Sequence, residues 1–352
     1  MIDFRYHLVS IVAVFLALAI GIVVGSTALK PAVLTTLQKT ATAEKKRVDA
    51  LYAQNRQYQS QLGAAEAYAQ AGEHLALNGL LDSQRVVLVT APGFPSAVVT
   101  GVTSALAVAG AIVTGQVQLQ SQFFTAGTQS DLDTRTQQLT PPGVTLRNGT
   151  PQAQAGQLIA SAILTKNGPA QPPAGVADAT GKSILNGYAA GGYLSISGNP
   201  AARATLAVVI IPAAPPAPSL SSSASQTLVT VAQQLNLADE ATVVAGQLSG
   251  SGAGSAIDVM RSGGQADHFS SVDNADTVIG QIVTAQALYE QMTEGKSGSY
   301  GALTSASAAG PSPAPTPSPS TTATATAKQS SGPEHSRTQS AQPDVSASAS
   351  AR

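Results

Sequence analysis

The stretch "RVVLVTAPGFPSAVVTGVTSALAVAGAIVTGQVQL", residues 85–119, decides the fold class. It opens with a continuous β-branched run from Arg85 to Thr90, which is typical of a strand buried on both faces. The turn "APGFP" follows, then an apolar helix predicted near Ala97 to Ala109 and a second strand from Ala111 to Leu119. A strand, a helix and a strand in such a short span form a βαβ unit, which predicts two parallel strands joined by a right-handed crossover.

The same alternation returns farther along the chain, so residues 80–301 are predicted to form one α/β domain. Its sheet should be mainly parallel, with about five strands and with helices on both faces. The middle, about residues 120–204, is polar and rich in Gly, Pro and Gln, and it yields only one predicted helix. The further predicted elements are the strands Thr205 to Ile211, Ala241 to Gln247 and one around His268 to Asn274, and the helices Gln154 to Lys166, Ser221 to Leu237, a short one after the glycine-rich loop, and Asp276 to Glu294.

An apolar run precedes this domain, and residues 1–30 are predicted to anchor the chain in a membrane. From Leu8 to Leu29 there are about 22 uncharged residues, enough for a helix to cross the roughly 30 Å hydrocarbon core. The alternative is a cleaved secretion signal, for which Ser26 to Ala28 would supply a small-x-small site. Small residues recur every four positions and predict a transmembrane dimer face, formed by Ala13, Ala17, Gly21 and Gly25.

Residues 31–79 are predicted to form a coiled coil, because apolar residues recur there in heptads. Asn55 falls at an a position, where a buried amide favours a two-stranded parallel pairing in one register. The alternative is an amphipathic helix lying on the chain's own globular domain. The predicted seam consists of Leu34, Leu37, Ala41, Val48, Leu51, Asn55, Tyr58 and Leu62.

The last residues, 302–352, are dominated by Ser, Ala, Thr and Pro. Such a composition cannot bury an apolar core, so this tail is predicted to be disordered, with a polyproline II stretch from Pro311 to Pro319.

Composition excludes several functions. With 18 basic against 19 acidic residues and 11% charged residues, the chain lacks the charge pattern of a nucleic-acid-binding protein. The absence of cysteine removes thiolate chemistry, and the four histidines are scattered along the chain. Met260 and Met292 lie far apart and are interpreted as packing residues, whereas copper sites need clustered sulfur ligands or converging histidines. We therefore predict no catalytic, cofactor-binding or metal-binding residues, and no enzyme activity.

Three weaker patterns do not change that prediction. The glycine-rich loop from Gly246 to Ser255 follows a predicted strand and precedes a predicted helix, which is the place for an anion-binding turn, but flexible Gly-Ser loops are far commoner. The carboxylate pairs, Asp131 with Asp133 and Asp239 with Glu240, are interpreted as solvated residues of polar loops. Asp267 and His268 are interpreted as a surface pair.

The opening "MIDFRYHLVSIVAVFLALAIGIVVGS", with "VVLVTAPG", "SVDNADTVIGQI" and "GKSGSYG" in this order, resembles the actinobacterial copper-transport envelope protein family MctB, also called SteB, over about residues 1–301. The resemblance implies a role in copper homeostasis, with a proposed outer-membrane channel that lets copper leave the cell. Members called SteB are instead implicated in cell division, where they act with a partner, SteA, to control a peptidoglycan hydrolase.

The residues themselves favour a dimeric scaffold over a pore. A channel barrel needs many strands that alternate apolar and polar residues, whereas the predicted strands are short, continuously apolar and interleaved with helices. We expect a single-pass protein of the cell envelope that contacts membrane lipid, pairs with a second copy and meets an envelope or division-machinery protein. The count of basic residues around the anchor would place the bulk of the chain in the cytoplasm, whereas the resemblance and the Pro/Thr-rich tail favour an extracytoplasmic domain.

Overall fold

The computed structural model of the chain describes residues 4–166, 175–176, 178–212, 221–264 and 268–315, with the side chains at 4, 26–34 and 221–222 left out. The first element is a single helix, α1 (Phe4–Leu77), of 74 residues. At 1.5 Å per residue this helix is about 110 Å long. It carries the predicted anchor and the predicted coil without interruption, and it ends one residue before the predicted stop at Asn78-Gly79.

The rest of the described chain contains a seven-stranded sheet, with the strand order β3-β2-β1-β4-β5-β6-β7, and the helices that cover it. Only the β2 and β3 pair is antiparallel, and the other neighbouring pairs are parallel. The strands are β1 (Arg85–Thr90), β2 (Ile112–Leu119), β3 (Leu194–Gly198), β4 (Leu206–Ile210), β5 (Ala241–Ala245), β6 (Ser270–Val272) and β7 (Ser299–Tyr300). The further helices are α2 (Ser96–Val108), α3 (Ser121–Phe124), α4 (Gln129–Leu139), α5 (Pro151–Ile163), α6 (Ala179–Ala190), α7 (Ser221–Asn236), α8 (Ala256–Ser262) and α9 (Val278–Glu294).

Helices cover both faces of the sheet, as the continuous apolar strands require. Successive residues of β1 point to opposite faces: Val87 and Val89 join the core under α5, α6, α7 and α8, whereas Val86 and Leu88 join the core under α2, α9 and the end of α1. The predicted α/β class, with a mainly parallel sheet between helical layers, is therefore confirmed.

Five predicted strands are present, and the sheet gains β3 and β7 beyond the predicted number. β3 lies at an edge and is only partly buried, so its mixed sequence "LSISG" lacks the apolar run that marks the central strands. β7 has two residues and is too short to give a periodic signal. The middle of the chain also contains α3, α4 and α6, which its polar composition did not reveal.

Local signals explain two helix boundaries. α5 begins at Pro151, three residues before its predicted start, because the Thr150 hydroxyl accepts a hydrogen bond from Ala153 N–H and proline suits the first helical position. α9 ends where Gly295 adopts the left-handed conformation with φ of 65°, which glycine adopts without steric cost.

The sheet domain extends beyond the predicted boundary at residue 301. Ala308 pairs with Tyr300 at the edge of the sheet, the Ser307 hydroxyl donates to the Ser299 carbonyl at 2.9 Å, and Pro311 is buried. The start of the predicted tail therefore packs on the domain. The remainder, residues 316–352, lies outside the described residues, and so does the end of the predicted polyproline II stretch, residues 316–319.

Candidate functional site

The first part of α1 is an apolar helix with no protein around it. Arg5–Gly25 spans 21 residues with a mean hydropathy of 2.9, and none of the segment is buried inside the structure. A core helix of a soluble domain with this composition would be covered by other elements. This segment is long and apolar enough to cross a membrane, in agreement with the predicted anchor.

The predicted transmembrane dimer face lies open along this helix. Ala13 and Ala17 are exposed, and a Cβ added at Gly21 or Gly25 would meet no atom within 4 Å. Residues four apart lie on one side of a helix, so these positions form one shallow surface. The four residues therefore lie on one open side of α1. Their pairing with a second chain stays a prediction.

The predicted coiled-coil seam is also exposed. Every residue from 35 to 65 is exposed, and Leu37, Leu51 and Leu62 are 60%, 58% and 65% accessible. Ala41, Val48, Asn55 and Tyr58 lie on the same exposed length of helix, whereas the side chain of Leu34 is outside the described residues. Residues 35–65 therefore do not pack on the chain's own domain, as the alternative prediction of an amphipathic helix would require.

Among the α1 side chains that the structure describes, those of the last turns pack on the domain. Leu77 is fully buried against α2 and α9, and Ala69 is half-buried. Glu66 Oε2 accepts a hydrogen bond of 2.9 Å from Val278 N–H, the first amide of α9. A carboxylate at a helix N-terminus is stabilised by the unpaired amides and by the helix dipole, so Glu66 fixes the coil helix to the domain.

Metal-ligand chemistry is sparse in the part of the chain that the structure describes, which contains no group of three or more His, Cys, Asp or Glu side chains placed to hold an ion. Met260 is fully buried in the core, and Met292 packs at the edge of the opposite core. His7 and His74 are exposed at opposite ends of α1, His268 is exposed just before β6, and His335 is outside the described residues.

The structure corrects the interpretation of the carboxylate pairs. Asp131 and Asp133 lie in helix α4 and not in the predicted polar loop. Asp239 is fully buried, accepts a hydrogen bond of 2.7 Å from the Thr242 hydroxyl, and has its pKa raised well above the ordinary value by burial. The prediction of a solvated Asp239 is therefore wrong, because the turn before β5 folds inward. The predicted pair of Asp267 with His268 cannot be described, since residues 265–267 lie outside the described residues.

The glycine-rich loop has the predicted position between β5 and α8 but not the chemistry of an anion site. Asp258 Oδ2 accepts the Gly254 N–H at 2.8 Å, and the Ser255 hydroxyl accepts the Asp258 N–H at 3.1 Å. The Gly254 and Asp258 amides are thus already hydrogen-bonded, and the Asp258 carboxylate beside them repels an anion. The loop is tied to α7 through Ser225, whose hydroxyl donates to the Gly254 carbonyl at 2.7 Å.

Sequence reasoning missed a buried ionic network at the end of the sheet. The Arg261 guanidinium donates to Asp273 at 2.8 Å and to the Tyr300 carbonyl at 2.8 Å, and the two charged side chains are 4% and 0% exposed. A Cβ at Gly301 would clash with the Asp273 carboxylate. The motifs "SVDNADTVIGQI" and "GKSGSYG", which carry the resemblance, therefore meet here. An isolated arginine in a short helix gives no sequence signal for such a partner.

Comparisons with known proteins agree with that resemblance. The family model described as "Copper transport outer membrane protein, MctB" matches residues 1–311. The chain is 28% identical over 309 residues to proteins named Copper transporter MctB from Mycobacterium tuberculosis and Mycobacterium bovis, covering 86% of this chain and 96% of each relative. The protein of the same name from Mycobacterium leprae is 28% identical over 310 residues, with the same coverage.

Proposed function

This chain belongs to the MctB family, and on that premise we propose that it serves copper homeostasis or efflux in the cell envelope as a membrane-anchored, dimeric, non-enzymatic scaffold. The observation that carries the proposal is the continuous α1 helix, which joins an apolar segment of membrane-spanning length to an exposed face with heptad spacing. The proposed arrangement places the α/β domain outside the cytoplasmic membrane.

The apolar groups on the exposed helix support the proposed dimer. An isolated helix with leucines at Leu37, Leu51 and Leu62 leaves these side chains in water, and pairing with a second copy removes them from it. A parallel pair also brings two anchors side by side, which is the arrangement that the small residues Gly21 and Gly25 allow in lipid. The two predicted faces therefore support the same homodimer.

The described domain supports a scaffold better than a self-contained pore. Its sheet is open, with β3 and β7 as edges, and its central strands bury both faces under helices. A membrane-spanning barrel instead closes its sheet and turns one face toward lipid. Since the described residues hold no clustered metal ligands, we propose that the chain acts on copper through an assembly with other envelope components.

Cysteine crosslinking tests the dimer directly, because the chain contains no cysteine of its own. A single Val48→Cys change, at an a position, should give a disulfide-linked dimer in oxidised membranes. The matched change Ala53→Cys, on the outer face of the same helix, should give little. Equal crosslinking at both positions would show random collision and would contradict the parallel coil.

A copper assay tests the role of the dimer. Deleting the gene should lower the copper concentration that halves growth and raise the copper content of the cells. The wild type and Ala53→Glu should restore both values, whereas Leu51→Glu should not, because it places a charge in the seam. Unchanged copper tolerance in the deletion strain would refute the copper role, and full rescue by Leu51→Glu would refute the need for pairing.

A second candidate function is regulation of cell division through a protein partner. The observation that favours it is an apolar patch outside the predicted seam, where Tyr68 and Leu75 are 83% and 87% exposed and lie seven residues apart. Seven residues make about two helical turns, so both side chains lie on one side of α1 next to the domain. A patch of this kind suits a partner helix.

The two functions are distinguished by one set of variants. If the second applies, Tyr68→Ser with Leu75→Ser should abolish recovery of a division protein from crosslinked membranes and lengthen the cells, while copper tolerance stays unchanged. Gln70→Ser, an exposed change on the same turns, is the control. Recovery of no division protein by the wild type would argue against this candidate.

A further inference from the structure

A cavity of about 150 Å³ lies at the carboxyl ends of the central strands. The chain runs from β1 to β2 on one side and returns through β4 on the other side of β1, so the strand order reverses between β1 and β4. In open parallel sheets this reversal separates the connections that follow the two strands and leaves a crevice between them. The cavity occupies that crevice.

Paired prolines open the crevice. Thr90 pairs with Ile210 in the parallel register of β1 and β4, so Pro92 and Pro212 fall at equivalent positions two residues later. Neither proline has an N–H, and the hydrogen-bonded ladder cannot continue past them. The segments after β1 and β4 therefore leave the sheet at the same level, and both prolines line the cavity.

Connections from four parallel strands contribute to the walls. Phe124 follows β2, Ile211 follows β4, and the glycine-rich loop after β5 contributes Gly250 and Ser255, while Leu228 of α7 faces them. Most of the lining is apolar, and none of the described lining residues carries a charge. A charged ligand would lose its hydration there without gaining a counter-ion. The site therefore suits a neutral molecule.

Ser121, Thr125, Ser225 and Ser255 are the hydroxyl residues of the described lining, and the last two are neighbours whose hydrogen bonds leave one acceptor and one donor. The Ser225 hydroxyl donates its proton to the Gly254 carbonyl and keeps its lone pairs, whereas the Ser255 hydroxyl accepts the Asp258 N–H and keeps its proton. One neighbouring group can thus accept a hydrogen bond and the other can donate one. Both serines are 3% exposed, so the hydroxyls are held in place. A ligand hydroxyl, which both donates and accepts, complements this pair.

We propose that this crevice binds a small neutral molecule with a ring-sized apolar body and a hydroxyl group, with phenol as the simplest member of the class. The size agrees, since an apolar cavity of this volume in another protein accommodates benzene. The glycine-rich loop thus forms one wall of a site for a neutral ligand in place of the anion site that its sequence first suggested.

Methyl NMR on the full chain in lipid nanodiscs tests the proposal. Phenol should shift the methyl signals of Ile211 and Leu228 in a saturable way. Toluene, which has the same shape without the hydroxyl, should bind roughly tenfold more weakly. Benzoate, which adds a negative charge, should give no saturable shift. Toluene binding as tightly as phenol, or benzoate binding as tightly as either, would overturn the assigned ligand class.

Two variants on one helix locate the site. Ala224→Leu places a larger side chain into the cavity from α7 and should weaken phenol binding by more than about tenfold, with the domain still folded because the added atoms fill empty space. Gln226→Leu adds an apolar side chain on the exposed side of the same helix and should leave binding unchanged. Phenol shifts that persist in Ala224→Leu, or that never saturate in the wild type, would refute the site.

Discussion

Replacing Arg261 by methionine should destabilise the α/β domain strongly. In the wild type the guanidinium donates to four oxygens, those of Asp273, Ser271, Ser305 and the Tyr300 carbonyl, at 2.8 to 3.0 Å. Methionine keeps much of the side-chain length and makes none of these bonds. Asp273, which is fully buried, then keeps its negative charge with only backbone partners, chiefly Ala302 N–H at 2.7 Å.

The size of the effect follows from the burial of the pair. Removing one partner of a buried ion pair leaves an uncompensated charge and typically costs about 3–5 kcal/mol. For a domain of this size each kcal/mol lowers the unfolding midpoint by about 2–4 °C, so the expected drop is roughly 6–20 °C. The loss should concentrate at β7 and the following residues, because Arg261 and Asp273 hold them to the sheet.

Amide hydrogen exchange measured by mass spectrometry is the suitable assay. The chain has no tryptophan, and the long helix α1 would dominate a circular dichroism signal. We expect Arg261→Met to speed exchange in peptides covering residues 297–308 and to lower the urea concentration at which the domain unfolds. The double variant Arg261→Met with Asp273→Asn should recover part of the loss, since the buried charge is then gone.

Lys296→Met is the matched control. The Lys296 ammonium lies 2.7 Å from the Glu294 carboxylate, but the Lys296 side chain is 66% exposed. Surface pairs contribute little, so the unfolding midpoint should stay unchanged. If Arg261→Met behaved like this control, the buried network would not hold the end of the sheet, and the reasoning would be refuted.

Three further changes test separate contacts of the fold. Gly280→Ala would place its Cβ 2.0 Å from a neighbouring carbonyl oxygen and should cost about 1–3 kcal/mol in chemical denaturation, whereas Gly252→Ala meets no atom within 4 Å and should be neutral. Glu66→Ala removes the carboxylate at the start of α9 and should lower the free energy of unfolding by about 1 kcal/mol. Amide exchange should become faster in the first turn of α9 and in the last turns of α1. Unchanged exchange would contradict the hydrogen bond between Glu66 and Val278. Burial raises the pKa of Asp239, so the folded state holds a proton that the unfolded chain releases above pH 3.8. The free energy of unfolding should therefore fall as the pH rises above 3.8, by up to about 1.4 kcal/mol per pH unit. Asp239→Asn should remove this fall, and a wild-type stability that rises over the same interval would refute the assignment.

The fold class could be predicted because its central strands carry an unambiguous signal. β1, β4 and β5 are buried on both faces and read as continuous apolar runs, and the helices between them follow at short spacing. The edge strand β3 faces solvent on part of its surface, and α4 has a polar sequence with only Leu132 and Thr136 buried. Such elements obtain their stability from tertiary contacts, so local sequence does not reveal them.

The sequence displays helical periodicity directly, whereas it does not display the partners of buried polar groups. The heptads along α1 are a periodic pattern that sequence alone displays, and the structure places the described members on an exposed helix. The partners of Asp239 and Asp273 depend on which loops the sheet brings together. Arg261 and Asp273 are twelve residues apart on different elements, and their pairing follows only once β6 and α8 are placed.

The attachment of α1 to the domain determines what dimerisation would do. Because Glu66 and Leu77 fix the last turns of the helix to α9 and α2, the exposed length from 35 to 65 extends from the domain in a set direction. Pairing of that length in parallel would place two domains at the same end of one coil and two apolar segments at the other. The anchors would then be adjacent without any attraction of their own, and the small residues at Gly21 and Gly25 would let them pack closely. Variants of the coil seam should therefore weaken dimerisation more than variants of the anchor, since the membrane contact depends on the coil for its alignment.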